Sequence, residues 1–197
     1  MSALAADGPV KIVALGDSLI AGYGLPAGDT FPVKLVRALK DKGLAAEIAN
    51  AGVSGDTASG GLARLDWSVP PGTEAVIVEL GANDMLRGVD PDVTRAALDK
   101  IVRRLKERGI EVLLCGMLVP PNLGPDYARA FNAIYPELAS THGVVFYPFF
   151  LDGIAADPKF NLRDGIHPSA AGIAAIVTRV VPKVEELVAR VRAKRGS

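Results

Sequence analysis

The chain is short of several things at once, and each scarcity removes a class of protein. It has one cysteine, so no internal disulfide can form, and the setting of Cys115 in Val112-Leu113-Leu114-Cys115 reads as a small buried hydrophobe in a strand. It has no excess of either charge: 22 Lys and Arg balance 22 Asp and Glu, which leaves no overall attraction for nucleic acid or an anionic membrane. The basic residues near the end, Arg190, Arg192, Lys194 and Arg195, read as a solvated helix terminus rather than a binding patch. No apolar run approaches the length of a bilayer span, so stable membrane insertion is not expected. Aromatic residues are only 6% of the 197 positions, which counts against the stacking platforms of a sugar-binding surface.

What is present is the composition of a compact globular chain, with 49% hydrophobic and 22% charged residues and enough length for one domain with its own core. The expected organisation is a tail over 1–10 and a single domain over 11–197. Ala3-Leu4-Ala5 has the small-x-small form cut by signal peptidase, although the charged and apolar regions that normally precede such a site are missing. The expectation drawn from it is the remnant of an export signal and a periplasmic or secreted protein, with a cytoplasmic location left open.

Five short apolar segments recur: Lys11 to Leu15, Glu47 to Ala51, Ala75 to Leu80, Val112 to Leu118 and Val144 to Tyr147. Each is too short for a helix and rich in aliphatic residues, as buried strands are. Between them lie stretches of helical period. In Pro91 to Arg108, Val93, Ala97, Ile101 and Leu105 fall four apart, with Asp90 and Pro91 opening the helix and Gly109 closing it. Phe31 to Lys42 has the same form with Leu35, Val36 and Leu39 on one face and Gly43 as the stop. Further helices are expected over Pro125 to Thr141 and after Pro168, the last kinked or divided at Pro182, and His142 reads as a surface cap. Strand and helix alternating five times predict an α/β fold, a three-layer α/β/α sandwich around a five-stranded parallel sheet.

In such a sheet chemistry gathers beyond the carboxyl ends of the strands. Gly16-Asp17-Ser18 follows the first strand, Asn50 to Thr57 the second, Gly81-Ala82-Asn83-Asp84 the third, and a long loop ending Asp164-Gly165-Ile166-His167-Pro168 the fifth. A serine hydroxyl becomes a nucleophile only when a base takes its proton, and the base works best with a carboxylate fixing its tautomer. Ser18, His167 and Asp164 supply those types, and the three-residue spacing of Asp164 and His167 lets one turn of loop bring carboxylate to imidazole. The tetrahedral intermediate of acyl transfer needs donors for its oxyanion. The Asn83 amide and the N–H groups of Gly55 and Ser18 are placed by topology to serve. Asp17 and Asp84 lack a neighbouring histidine and read as loop-fixing groups rather than a metal pair, and Asp56 is expected to pair with Arg64. Met85, Leu86, Leu118, Val119, Pro120 and Ile166 are the candidates to line a substrate pocket.

Four ordered blocks, Gly16-Asp17-Ser18-Leu19, Ser54-Gly55-Asp56-Thr57, Gly81-Ala82-Asn83-Asp84 and Asp164-Gly165-Ile166-His167-Pro168, make the chain resemble the GDSL-type esterases of the SGNH hydrolase superfamily. Gly61-Leu62-Ala63-Arg64-Leu65 and Val78-Glu79-Leu80-Gly81 bring it nearest the bacterial arylesterases and the multifunctional acyl-CoA thioesterase, protease and lysophospholipase group. The resemblance implies Ser18 as nucleophile, His167 as base, Asp164 as its partner, an oxyanion hole of Ser18, Gly55 and Asn83, a flavodoxin-like sheet and no cofactor. It implies hydrolysis of short- to medium-chain carboxylic and aryl esters, with thioesters or lysophospholipids as further small-molecule substrates. One departure is Ala82, where near relatives often carry a second glycine. Three rival readings remain at this point: a carbohydrate O-deacetylase of the same superfamily, a non-enzymatic flavodoxin-like binding module with a magnesium pocket at Asp17 and Asp84, and a metal-dependent phosphoesterase. Oligomeric state is open.

Overall fold

The computed structural model describes residues 8–196, so the Ala3-Leu4-Ala5 expectation lies outside the described residues. Five strands form the sheet: β1 (Val10–Gly16), β2 (Ala46–Gly52), β3 (Ala75–Glu79), β4 (Glu111–Cys115) and β5 (Val145–Tyr147). They are all parallel, in the order β2-β1-β3-β4-β5. The helices are α1 (Ser18–Ala21), α2 (Phe31–Asp41), α3 (Ala58–Ala63), α4 (Leu65–Ser68), α5 (Ala82–Leu86), α6 (Pro91–Glu107), α7 (Pro125–His142) and α8 (Ala170–Arg195). On one face α2 packs on α8, and on the other α6 packs against α3 and α7. This is the α/β/α sandwich expected from the alternation, with the flavodoxin-like sheet that the family resemblance implies.

The chain leaves β1 toward β2 and then crosses back to β3, so the strand order reverses between β1 and β3. Loops at the carboxyl ends of those two strands diverge at such a switch point, where open α/β sheets bind their ligands. The core under it is dry: every residue of β3 is buried, and β1 is buried except at Lys11. Phe31 of α2 meets Phe150, which follows β5, edge to face at 5.1 Å, and both are fully buried. Phe150→Ala is expected to lower unfolding free energy by about 3–5 kcal/mol, a shift that a urea titration reads directly.

Four local expectations are corrected. The fourth apolar segment stops being strand at Cys115 rather than Leu118, because its neighbour β5 ends at Tyr147 and the next N–H to reach it, that of Phe150 on Gly116 O at 2.9 Å, comes from beyond the strand. The Gly116 N–H makes the last bond to β5 itself, to Tyr147 O at 2.8 Å. Pro182 does not divide the last helix: Val180, Val181, Val184 and Leu187 are buried on both sides of it, so packing holds one continuous helix despite the missing donor. Val93 is 50% exposed, and its neighbour Thr94 turns inward instead to donate to Asp84 Oδ1 at 3.0 Å. His142 is no surface cap. Gly143, at φ +63°, ends α7, while the mostly covered His142 ring places Nε2 2.7 Å from Asp99 Oδ1 on α6.

The basic end of α8 is likewise more tied down than expected. Arg195 donates to Glu74 and to the carbonyls of Gly8 and Pro9, and Arg190 to Gly143 O, so these cations fasten the helix to the amino edge of the sheet.

Candidate active site

Each reactive side chain stands on a loop whose shape its own sequence determines. After β1, the Asp17 carboxylate accepts the Leu19 N–H at 3.0 Å and turns the chain into α1, so that Ser18 is the first residue of that short helix. The Ser18 N–H therefore has no backbone acceptor behind it. Beyond β5, Asp164 organises its own loop: Oδ1 accepts the N–H groups of Ile166 (2.9 Å) and His167 (3.0 Å), and Oδ2 lies 2.8 Å from His167 Nδ1. The Leu162 N–H donates to His167 O at 2.7 Å and closes the loop from the other side. The outcome is a single decisive distance, 3.0 Å from His167 Nε2 to Ser18 Oγ, across 149 positions of sequence. The order Ser–His–Asp is thus assembled as a relay of two hydrogen bonds.

After β3 the chain must turn at once. Gly81 sits at φ +113°, where a Cβ would lie 2.1 Å from the Tyr135 hydroxyl, itself donating to Leu80 O at 2.9 Å. That turn carries Asn83 back toward β1, and its Nδ2 donates to Asp17 Oδ2 at 2.9 Å. A carboxamide nitrogen has two hydrogens, so one stays available for an oxyanion. Gly55, in the loop after β2, adopts φ +86°. The Arg87 guanidinium donates to its carbonyl at 2.8 Å, and Arg64 ties Asp56 (2.6 Å), Ser68 (2.9 Å) and Gly16 O (2.9 Å) together. The expected Asp56–Arg64 pair thus clamps the Gly55 loop to the loop that carries Ser18. Among the described residues, neither the Gly55 nor the Ser18 N–H has a protein acceptor.

Asp17 and Asp84 are the loop-fixing carboxylates expected. Asp84 accepts the Ala58 N–H at 2.8 Å and the Thr94 hydroxyl, and Asp17 is occupied by Leu19 and Asn83. Their oxygens are engaged by donors, which removes the basis for a magnesium pocket. Among the described residues no group of three or more His, Cys, Asp or Glu side chains could hold a metal ion.

Of the candidate pocket residues, Leu86 at the end of α5 and Leu118, Pro120 and Ile166 on loops are exposed, whereas Met85 (7% exposed) and Val119 (8%) face the core. Met85 turns inward from the short α5, and Val119 is pulled in where its N–H donates to Asn132 Oδ1 at 2.9 Å. Sequence reasoning missed Tyr23, whose ring lies 4.4 Å from the His167 ring at a tilt of 34°. Nothing in the sequence ties Tyr23 to that histidine. It also passed over Glu79, which is fully buried, and there a signal was available: a lone acid closes the otherwise apolar third strand.

Burial and neighbours set the charges. Asp164 is held down to about 2, first by the His167 and Ile166 N–H groups and then by the imidazole itself. Burial raises Asp17 to about 6, against the pull of the Leu19 and Asn83 donors. Burial, and then the charge of Asp17, pushes Glu79 well above the usual carboxyl range. A carboxyl raised on folding favours the native state at low pH and loses that contribution as pH climbs through its folded value. Glu79→Gln is therefore expected to raise the melting temperature more at pH 8 than at pH 5. A melting-temperature difference that does not change with pH would contradict this.

Residues 14–175 match the GDSL-like lipase/acylhydrolase family. The chain belongs to that family. An arylesterase of Vibrio mimicus is 41% identical over 159 residues, covering 80% of either chain, and the thioesterase 1/protease 1/lysophospholipase L1 of Escherichia coli strain K12 is 40% identical over 168 residues, covering 85% of this chain and 78% of that one. The crystal structure of AlinE4, an esterase of the SGNH-hydrolase family, superposes with a TM-score of 0.77 at 44% identity over 90% of this chain and 96% of that one. This GDSL family chain is accordingly a hydrolase of the esterase kind. Its Ala82 departure leaves the turn intact, since Gly81 alone supplies the left-handed residue before Asn83.

Proposed function

We propose that the esterase reaction of this chain runs through an acyl-enzyme on Ser18. Support comes above all from the 3.0 Å contact of His167 Nε2 with Ser18 Oγ, with Asp164 on the far side of the ring. Nε2 takes the hydroxyl proton as Oγ attacks the ester carbonyl, and the Asp164 carboxylate balances the imidazolium that forms. Negative charge collects on the former carbonyl oxygen, where the Ser18 and Gly55 N–H groups and the second Asn83 amide hydrogen meet it. Collapse expels the alcohol, which takes the proton from Nε2 and leaves the acyl group on Oγ. Water, deprotonated by the same nitrogen, attacks the acyl carbonyl, and the carboxylic acid leaves as the proton returns to Oγ.

The substrates are short- to medium-chain carboxylic esters, aryl esters among them, with acyl thioesters and lysophospholipids as further candidates. The names of the Vibrio and Escherichia relatives support the aryl ester, thioester and lysophospholipid classes. A series of aryl esters and acyl thioesters of increasing chain length tests it: turnover should fall off beyond a medium chain, and activity confined to acetylated glycans would favour the O-deacetylase reading instead. A periplasmic or secreted location belongs to the same proposal, supported by Ala3-Leu4-Ala5, and fractionation of the source cells checks it. Among the described residues no helix is long and apolar enough to cross a membrane.

A further inference from the structure

Behind the oxyanion donors runs a polar chain that the reaction above does not use. Asn83 donates to Asp17 Oδ2, Asp17 is wholly buried, and behind it lies Glu79, also wholly buried, at the last position of β3. Glu79 stands opposite Gly16 in the sheet register, and its carboxyl occupies the space a side chain there would need: a Cβ on Gly16 would lie 2.8 Å from Glu79 Oε2. The acid is thus seated against the strand that carries the nucleophile. Its Oε2 lies 3.5 Å from the Asp17 N–H, while Oε1 has no partner at all.

Two carboxyl groups share this dry space, and each feels the charge of the other. The titratable groups that face them are Tyr135, which donates elsewhere to Leu80 O, the Cys115 thiol, and His167 on the solvent side. Among the described residues no Lys or Arg pairs with either acid. Two bare carboxylates in such a place repel each other, so the pair keeps a proton. Asp17 already accepts two N–H bonds and Glu79 only one long one, so Asp17 is the better anion and Glu79 the better acid.

We propose that Glu79 is a positioning residue for ester hydrolysis: as a neutral acid it donates to Asp17, and the Asp17 carboxylate so oriented aims the Asn83 amide at the oxyanion. This rests on Asn83 being an oxyanion donor. The link from Glu79 to the reacting oxygen is indirect, and its effect falls on the transition state, in which the Asn83 hydrogen bond is made.

The test is steady-state hydrolysis of an aryl ester by Glu79→Gln and Glu79→Met, with Asn83→Ala and Ser18→Ala as references. Glutamine keeps a donor toward Asp17, and kcat should stay within about threefold of the parent; methionine keeps the length but removes the donor, and kcat should fall about 10- to 100-fold with KM within about twofold. In the double variant Glu79→Met/Asn83→Ala, kcat should be no lower than in Asn83→Ala alone, because both changes silence the same donor. If circular dichroism shows Glu79→Met unfolded, Glu79→Asp, which withdraws the carboxyl by one methylene, carries the same expectations. Loss of kcat that multiplies with that of Asn83→Ala, an effect on KM in place of kcat, or full kcat in the donor-less variant would overturn the proposal. Full kcat in Asn83→Ala or Ser18→Ala would instead overturn the reading of the site on which it rests.

Discussion

Ser18→Ala is expected to lower kcat/KM for a short-chain aryl ester by at least about 10⁴-fold, because it removes the one atom able to hold the acyl group. The change deletes only Oγ. His167 keeps its place through Asp164 and the Leu162 bond to its carbonyl, and the Gly55 N–H and Asn83 amide still offer their hydrogens. Ser18 is half-buried and its Oγ is not part of the core, so the melting temperature should hardly move. Stopped assays on freshly purified variant and parent measure the loss. A variant that turns over within tenfold of the parent would mean that water, activated by the imidazole, attacks the ester directly.

Asp164→Asn is expected to cost about 10³- to 10⁴-fold in kcat, for a reason that lies in hydrogen positions. The carboxylate accepts from Nδ1, which leaves Nε2 bare to receive the serine proton. An asparagine keeps its oxygen under the Ile166 and His167 N–H groups and presents its NH₂ to Nδ1. The ring then carries its hydrogen on Nε2 and cannot act as a base. The loop itself should survive, since the two backbone bonds need only an oxygen. Because those bonds and the imidazole hold Asp164 at about 2, it remains a carboxylate across the whole working range. Loss of activity on acidification above pH 4 is therefore expected to come from groups other than Asp164, and the variant and parent should differ at pH 8 as much as at pH 6.

The sheet was legible because its signals are redundant. Ile12 to Leu15 of β1 and Ala75 to Val78 of β3 are buried and read as aliphatic runs, and α6 announces itself through Asp90, Pro91 and Gly109. That Ser18, His167 and Asp164 would meet was legible because a strand-end rule and a short spacing together limited where they could lie. What escaped depended on contacts between distant parts of the chain. The stop after Cys115 was hidden because it depends on where β5 ends, and Met85 and Val119 were misread because periodicity does not say which way a loop residue turns. His142 could not be paired with Asp99 from one helix end alone, and Tyr23 meets His167 across 144 positions. Glu79 differs from these, since its isolation in an apolar strand is visible without coordinates. Its partner Asp17 is not.

The most direct test of the central claim is labelling with a fluorophosphonate, which reacts with a serine only when a base has activated it, followed by peptide mass mapping. One adduct per chain is expected, on the peptide containing Ser18, and almost none after His167→Ala. An adduct on another residue, or a parent enzyme that hydrolyses esters while Ser18 stays unlabelled, would contradict it.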